Sequence, residues 1–145
     1  MDGTGQVLSA VSSTPAPAEA YAYDLKDTFT NVGQNINIGI KQTFGSAQDW
    51  SAMAYLHIFA YWSTIANVSN VLIKLTDAGS NTATYTFVND YVAGKWLNRL
   101  VAKSSFTAPS FDWTTVTVVE VYVVNTAASG NVSGYMGFNG LIVWS

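Results

Sequence analysis

The chain predicts an all-β fold, an antiparallel β-sandwich of the jelly-roll kind, and three observations carry this. Apolar and aromatic residues alternate with period two in run after run, and no stripe of period 3.6 extends over a useful length. Clusters of Gly, Asn, Asp and Ser separate the runs at short intervals. Two Asp-Trp pairs, Asp49-Trp50 and Asp112-Trp113, are each followed by a small hydroxyl residue and then by a long apolar run.

Residues 1–22 read as an extended N-terminal arm and 23–145 as a single sandwich domain. In the arm, Gly, Ser and Ala predominate, and Thr14-Pro15-Ala16-Pro17-Ala18 favours an extended, polyproline-like path. Val7, Leu8 and Val11 are its sizeable apolar residues. Such an arm takes order only from what it docks on, a neighbouring subunit or its own domain. Val7, Leu8, Val11, Pro15 and Pro17 are the expected interface residues, and Thr4 to Val11 is the segment expected to lend a strand to a neighbour's sheet edge.

The runs follow in order. Ile36, Ile38 and Ile40 alternate with Asn37 and Gly39. Leu56, Ile58, Ala60 and Trp62 form one face of the next strand and Tyr55, His57, Phe59 and Tyr61 the other, so this strand is expected to be central and covered on both sides. Val71 to Thr76, the turn cluster Asp77-Ala78-Gly79-Ser80-Asn81, and Thr84 to Val88 make a hairpin. Trp96 to Val101 is a further strand. Thr117, Val119, Val121 and Val123 face opposite to Val118, Glu120, Tyr122 and Val124. Thr126 to Ser133 reads as a loop. In the closing strand Met136, Phe138, Ile142 and Trp144 are assigned one common parity. Seven or eight strands at this spacing fit a sandwich or jelly roll.

The 145 residues make one domain, large enough to bury about 70% of its unfolded surface without disulfides. Cysteine is absent, which excludes a thiolate nucleophile and a Cys-ligated metal. Charged residues are 10% and aromatics 14%, with a mean hydropathy of +0.19. Disordered chains show the opposite balance, whereas interfaces and ring-lined ligand faces produce this one. The net charge is −3 and the six Lys and Arg are scattered, so no stripe can neutralise phosphates and nucleic acid is not an expected partner. No apolar stretch approaches a membrane span. The start Met1-Asp2-Gly3 lacks a basic and an apolar leader region, so a chain made as it stands is expected.

From Asp49 to Trp144 the sequence resembles the galactose-binding-like jelly roll common among carbohydrate-binding modules. Asp49-Trp50-Ser51 precedes the Tyr55–Tyr61 strand. Val71-Leu72-Ile73-Lys74-Leu75-Thr76-Asp77-Ala78-Gly79 resembles a strand closing on an Asp-x-Gly turn. Lys95-Trp96 resembles the family's Gly-Trp, with Lys in place of Gly. Ser105-Phe106, Phe111-Asp112-Trp113-Thr114-Thr115-Val116 and Gly137-Phe138-Asn139-Gly140-Leu141-Ile142 complete the order. Similar jelly rolls serve as sugar-binding modules and as decoration, fibre and tail proteins of viruses. The resemblance also implies a structural calcium held by a closing-strand Asp. Asn139 stands there and removes that charge, which makes the ion doubtful. No other cofactor is expected.

No catalytic constellation stands out. His57, the single histidine, lies mid-strand and is read as a satisfied core or interface residue. Asp49 and Asp112 precede strands and fit Asx turns better than a carboxylate pair. No nucleophile elbow, metal triad, P-loop or dinucleotide fingerprint occurs. The expectation is therefore no enzyme. It is a capsid decoration or accessory subunit on the surface of a virion, of the kind bacteriophages carry, docked by its arm and partnered by other virion proteins and copies of itself as a homo-oligomer. The alternative is an extracellular carbohydrate-binding module that holds a glycan by ring stacking, with Trp62, Tyr91, Trp96, Asn98, Arg99 and Tyr135 as candidate contacts and Asn89 and Asp90 beside them. Trp50, Trp113 and Trp144 are expected in the core or as plugs at the sheet ends.

Overall fold

The structure, a computed structural model, describes residues 7–11, 24–32, 34–63, 69–88, 92, 94–126 and 132–145. For residues 7–11, 24–32, 132–136 and 139–141 the backbone alone is described. Nine strands run β1 Val7–Val11, β2 Asp24–Val32, β3 Asn37–Gln48, β4 Tyr55–Trp62, β5 Val71–Asp77, β6 Thr82–Phe87, β7 Trp96–Ala102, β8 Val116–Val124 and β9 Val132–Trp144, with one 3-10 turn at Lys103–Ser105. They form two antiparallel sheets, in the orders β1-β2-β9-β4-β7 and β3-β8-β5-β6. Apart from the β5–β6 hairpin, each connection from β2 onward crosses between the sheets, as in a jelly roll. The predicted class is the one observed.

The core lies between the sheets. One parity of β4 (Leu56, Ile58, Ala60, Trp62) meets Val71, Ile73 and Leu75 of β5 and Val119, Val121 and Val123 of β8. Ile38 and Ile40 of β3 close one side. Tyr85, Phe87, Phe106, Phe111 and Trp113 stack edge-on or tilted across one end, with neighbouring ring centroids 4.8–5.8 Å apart. Gly39 of β3 lies opposite Tyr122 of β8, and a Cβ there would overlap the Val121 carbonyl and the Tyr122 backbone.

The Asp-Trp pairs make the turns the sequence predicts. Asp49 Oδ1 accepts the Ser51 N–H at 2.9 Å, and Asp112 Oδ1 accepts the Thr114 N–H at 2.9 Å and its hydroxyl at 2.7 Å. Asp77, which ends β5 and is only 2% exposed, accepts the Asn81 N–H at 2.8 Å, the Asn81 side-chain amide at 3.0 Å and the Asp112 N–H at 2.9 Å. One buried carboxylate thus ties the β5–β6 turn to the approach to β8.

Within the segment read as an arm, Val7, Leu8 and Val11 lie in β1, which pairs antiparallel with β2 of the same chain, Val7 opposite Thr28 and Val11 opposite Asp24, the own-domain alternative of the two dockings expected. Pro15 and Pro17 lie outside the described residues. Val132 and Ser133, read as loop, already belong to β9. The closing strand does not keep one parity. Phe59 of β4 pairs with Gly140 of β9 but Ala60 pairs with Phe138, so Asn139 is an extra residue in β9. Beyond this bulge the alternation inverts: Phe138 and Val143 pack against the core, while Ile142 and Trp144 share the outer face with His57 and Tyr55.

Candidate functional site

The outer face of the five-stranded sheet carries the site. On it, β4 places Tyr55, His57, Phe59 and Tyr61, β7 places Trp96, Asn98 and Leu100, and β9 places Ile142 and Trp144. The strand period puts these residues together, and pairing sets their neighbours: Tyr55 beside Trp144, His57 between Leu100 and Ile142, Tyr61 beside Trp96. The face is graded along its length. Phe59 and Tyr61 are buried, His57 is half-buried, and Tyr55, Leu100 and Trp144 are 47%, 57% and 52% exposed. Large apolar side chains so open to water, side by side on adjacent strands, mark a contact surface.

Ala54, Tyr55, His57, Leu100, Trp144 and Ser145 line an open recess of about 320 Å³ there. None of these lining side chains is a carboxylate, Lys or Arg. The recess offers ring faces and a few hydrogen-bonding groups, a combination suited to holding an uncharged polyhydroxy ligand. At the other end of the face, Trp96 is half-buried, tilted 50° to Tyr61 with ring centroids 5.7 Å apart. It lies over Gly137, where a Cβ would come 3.2 Å from the Trp96 ring. Between the two ends, His57 Nε2 and Asn98 Oδ1 are 2.7 Å apart, and the His57 ring packs on Phe59 with centroids 4.2 Å apart.

A second recess, about 290 Å³, opens between the sheets and is lined by Ile40, Gln42, Phe44, Trp50, Val119, Val121, Phe138 and Val143. Gln42 and the indole of Trp50 are its polar-bearing side chains.

Of the glycan contacts expected from the sequence, the structure brings Trp96 and Asn98 onto the outer face. Trp62 is a correction. It is 2% exposed and faces the core, because Trp62 shares the parity of Leu56 and Ile58 and not that of Tyr55. Arg99 is exposed but opposite Ile58, on the inner-face parity of the edge strand β7, so it does not join Asn98; its guanidinium donates to the Asn98 carbonyl at 3.0 Å. Tyr91, Asn89 and Asp90 lie outside the described residues. The backbone of Tyr135 pairs with Thr28 in β2; its side chain is outside the described set.

Trp144 is also a correction, an exposed ring where a sheet-end plug was expected. Trp50 and Trp113 are half-buried against the core, as plugs should be. Tyr55, Leu100 and Trp144 were missed as contacts. The Asn139-Gly140 dipeptide inside a strand that also carries Gly134 and Gly137 was the available signal of the bulge that turns Trp144 outward. Around Asn139, the paired positions Phe59, Ala60, Phe138 and Gly140 supply no carboxylate, and among the described residues no three His, Asp or Glu side chains converge.

Three carboxyl groups lie in the turns at the sandwich end. Asp77 is held below its ordinary value by the Asp112 N–H first, then by the Asn81 side chain and the Asn81 and Gly79 N–H groups, against the opposing effect of burial. Asp112 is lowered chiefly by the Thr114 hydroxyl and N–H, and Asp49 by the Ser51 N–H and hydroxyl.

No family model and no curated protein matches the sequence. Solved structures do. An exo-β-agarase superposes with a TM-score of 0.69 at 11% identity over 98% of this chain, which spans 22% of that protein's length. The family 30 carbohydrate-binding module of the cellulosomal cellulase Cel9D-Cel44B of Clostridium thermocellum gives 0.65 at 14% identity, covering the whole chain and 89% of the module. The fold is a β-sandwich like that of this carbohydrate-binding module. SGBP-B from a xyloglucan utilization locus of Bacteroides uniformis matches at 0.57 and 12% identity over 97% of this chain and 45% of its own. At these identities the likeness shows the fold alone.

Proposed function

We propose that the domain is a non-catalytic glycan-binding module whose contact surface is the outer face of the five-stranded sheet. The observation that carries this reading is the cross-strand pair Tyr55 and Trp144, both about half exposed beside Leu100 over an open recess. Sugar rings present apolar C–H faces that stack on such side chains, while Asn98 supplies a hydrogen bond. The solved relatives come from proteins described as agarases, a cellulase and a xyloglucan-locus protein, which suggests the first ligands to try. The test is calorimetric titration with agaro-oligosaccharides, cello-oligosaccharides and xyloglucan. Binding that disappears in Trp144→Ala supports the site; no binding to any polysaccharide at millimolar sugar overturns the function.

A role as a virion subunit at a particle surface is a second proposal, favoured by one observation. β1 forms the outer edge of its sheet, and an edge strand offers backbone groups to another chain. Light scattering should then show self-association that is lost when residues 1–20 are deleted; an unchanged oligomeric state overturns the arm mechanism.

A further inference from the structure

The His57–Asn98 contact is more specific than a surface hydrogen bond. A neutral imidazole has one N–H and one lone pair. Nδ1 of His57 is buried with no hydrogen-bond partner, and Nε2 meets Asn98 Oδ1 at 2.7 Å. With the proton on Nδ1, a donor would be sealed in without an acceptor, and the Nε2 lone pair would confront the lone pairs of Oδ1. Turning the amide over repairs only the second fault. With the proton on Nε2, the bond to Asn98 is made and only a lone pair stays buried, the lesser cost. Packing on Phe59 at 4.2 Å keeps the ring from turning to another partner.

This tautomer dictates which way Asn98 faces. Its carbonyl is engaged by His57, so its NH2 group is the end left to the solvent. Asn98 stands two residues from Trp96 and two from Leu100 on the same strand face, between the two ring clusters. A ligand crossing from one cluster to the other meets the two N–H donors of Asn98 first, with its carbonyl turned toward His57.

We propose that His57 is a positioning residue that turns the Asn98 NH2 group outward as a donor, so the face favours glycans that present acceptor oxygens (ring, glycosidic or ether oxygens) at that point. The proposal rests on the glycan-binding reading of the same face.

His57 is the single histidine, so long-range proton–nitrogen NMR of the labelled full chain reads its tautomer without ambiguity. One Nε2–H form is expected; an Nδ1–H form or an averaged pair overturns the proposal. Affinity for whichever oligosaccharide of the panel binds best gives the second readout. Asn98→Asp, an acceptor of the same shape, should weaken binding by about tenfold or more. His57→Phe keeps the ring packing but loses the anchor and should weaken it severalfold, while His57→Gln, which restores an N–H toward Oδ1, should recover part of the loss. A merely structural role would spare His57→Phe. If the unaltered chain binds no glycan, the site reading fails; if it binds and both Asn98→Asp and His57→Phe bind equally well, this proposal alone fails.

Discussion

The Trp50 backbone N–H donates to the Trp113 carbonyl at 2.7 Å, joining the two Asp-Trp turns into one structure at the end of the sandwich. Lys103 adds a clamp. Its Nζ donates to the Ser51 carbonyl at 2.6 Å and lies 4.9 Å from the centroid of the Trp113 ring. The turns that begin these two segments therefore stand or fall together.

Lys103→Ala should cost about 1–2 kcal/mol, from a charge-assisted hydrogen bond and a cation–π contact at a partly exposed position. Urea unfolding should show a lower midpoint with an unchanged slope. An unaltered midpoint would mean the lysine is a bystander.

Acid should loosen the same end. Asp77, Asp112 and Asp49 all have carboxyls held below the ordinary 3.8 in the folded chain. A depressed folded pKa gives stability that is present above 3.8 and lost as pH falls through the lower folded values. The melting temperature should be flat from neutral pH to about 5 and drop below 4. In Asp77→Asn that acid limb should be shallower and the melting temperature at pH 7 lower, since an amide cannot accept from both Asp112 and Asn81 as the carboxylate does.

Trp144→Ala and Tyr55→Ala should each reduce glycan affinity by about tenfold, equal to about 1.4 kcal/mol, and leave stability within about 0.5 kcal/mol because both rings are half in water. Trp62→Ala should do the opposite. It empties a core position and should cost about 3–5 kcal/mol in folding. Denaturation and titration on the same samples separate the two; loss of affinity in a fully folded Trp62→Ala chain would contradict the assignment of faces.

Gly39→Ala should destabilise by about 1–3 kcal/mol, because the methyl group has no room against Val121 and Tyr122. Gly45→Ala, in the same strand with nothing within 4 Å of the added carbon, is the control and should stay within about 0.5 kcal/mol. Similar melting temperatures for the two would show that β3 yields at Gly39.

Period two made much of the fold legible in the sequence. Val71, Ile73 and Leu75 are core, as are Val119, Val121 and Val123, and the turn from Asp77 to Asn81 closes the hairpin where its residue types indicated. The site was less legible, for two physical reasons. In β4 both faces are rich in apolar residues, so alternation separates Trp62 from Tyr55 without saying which face is interior; that depends on the sheet packed against it. In β9 the pattern was read through Asn139 as though the ladder were regular, and one unpaired residue was enough to misplace Trp144. Asn98 and Arg99, adjacent in one strand, could not share a face, and alternation alone would have separated them.

The bulge at Asn139 also works as a phase corrector. Phe138 and Val143 are five residues apart yet face the same way, and the unpaired Asn139 absorbs the mismatch. Deleting Asn139 would leave Phe138 opposite Ala60 and Trp144 opposite Tyr55, so the outer face should keep its rings. Ironing the bulge out with every residue retained, by sliding the segment after it one place along β4, would instead carry Trp144 to the inner parity and Val143 outward.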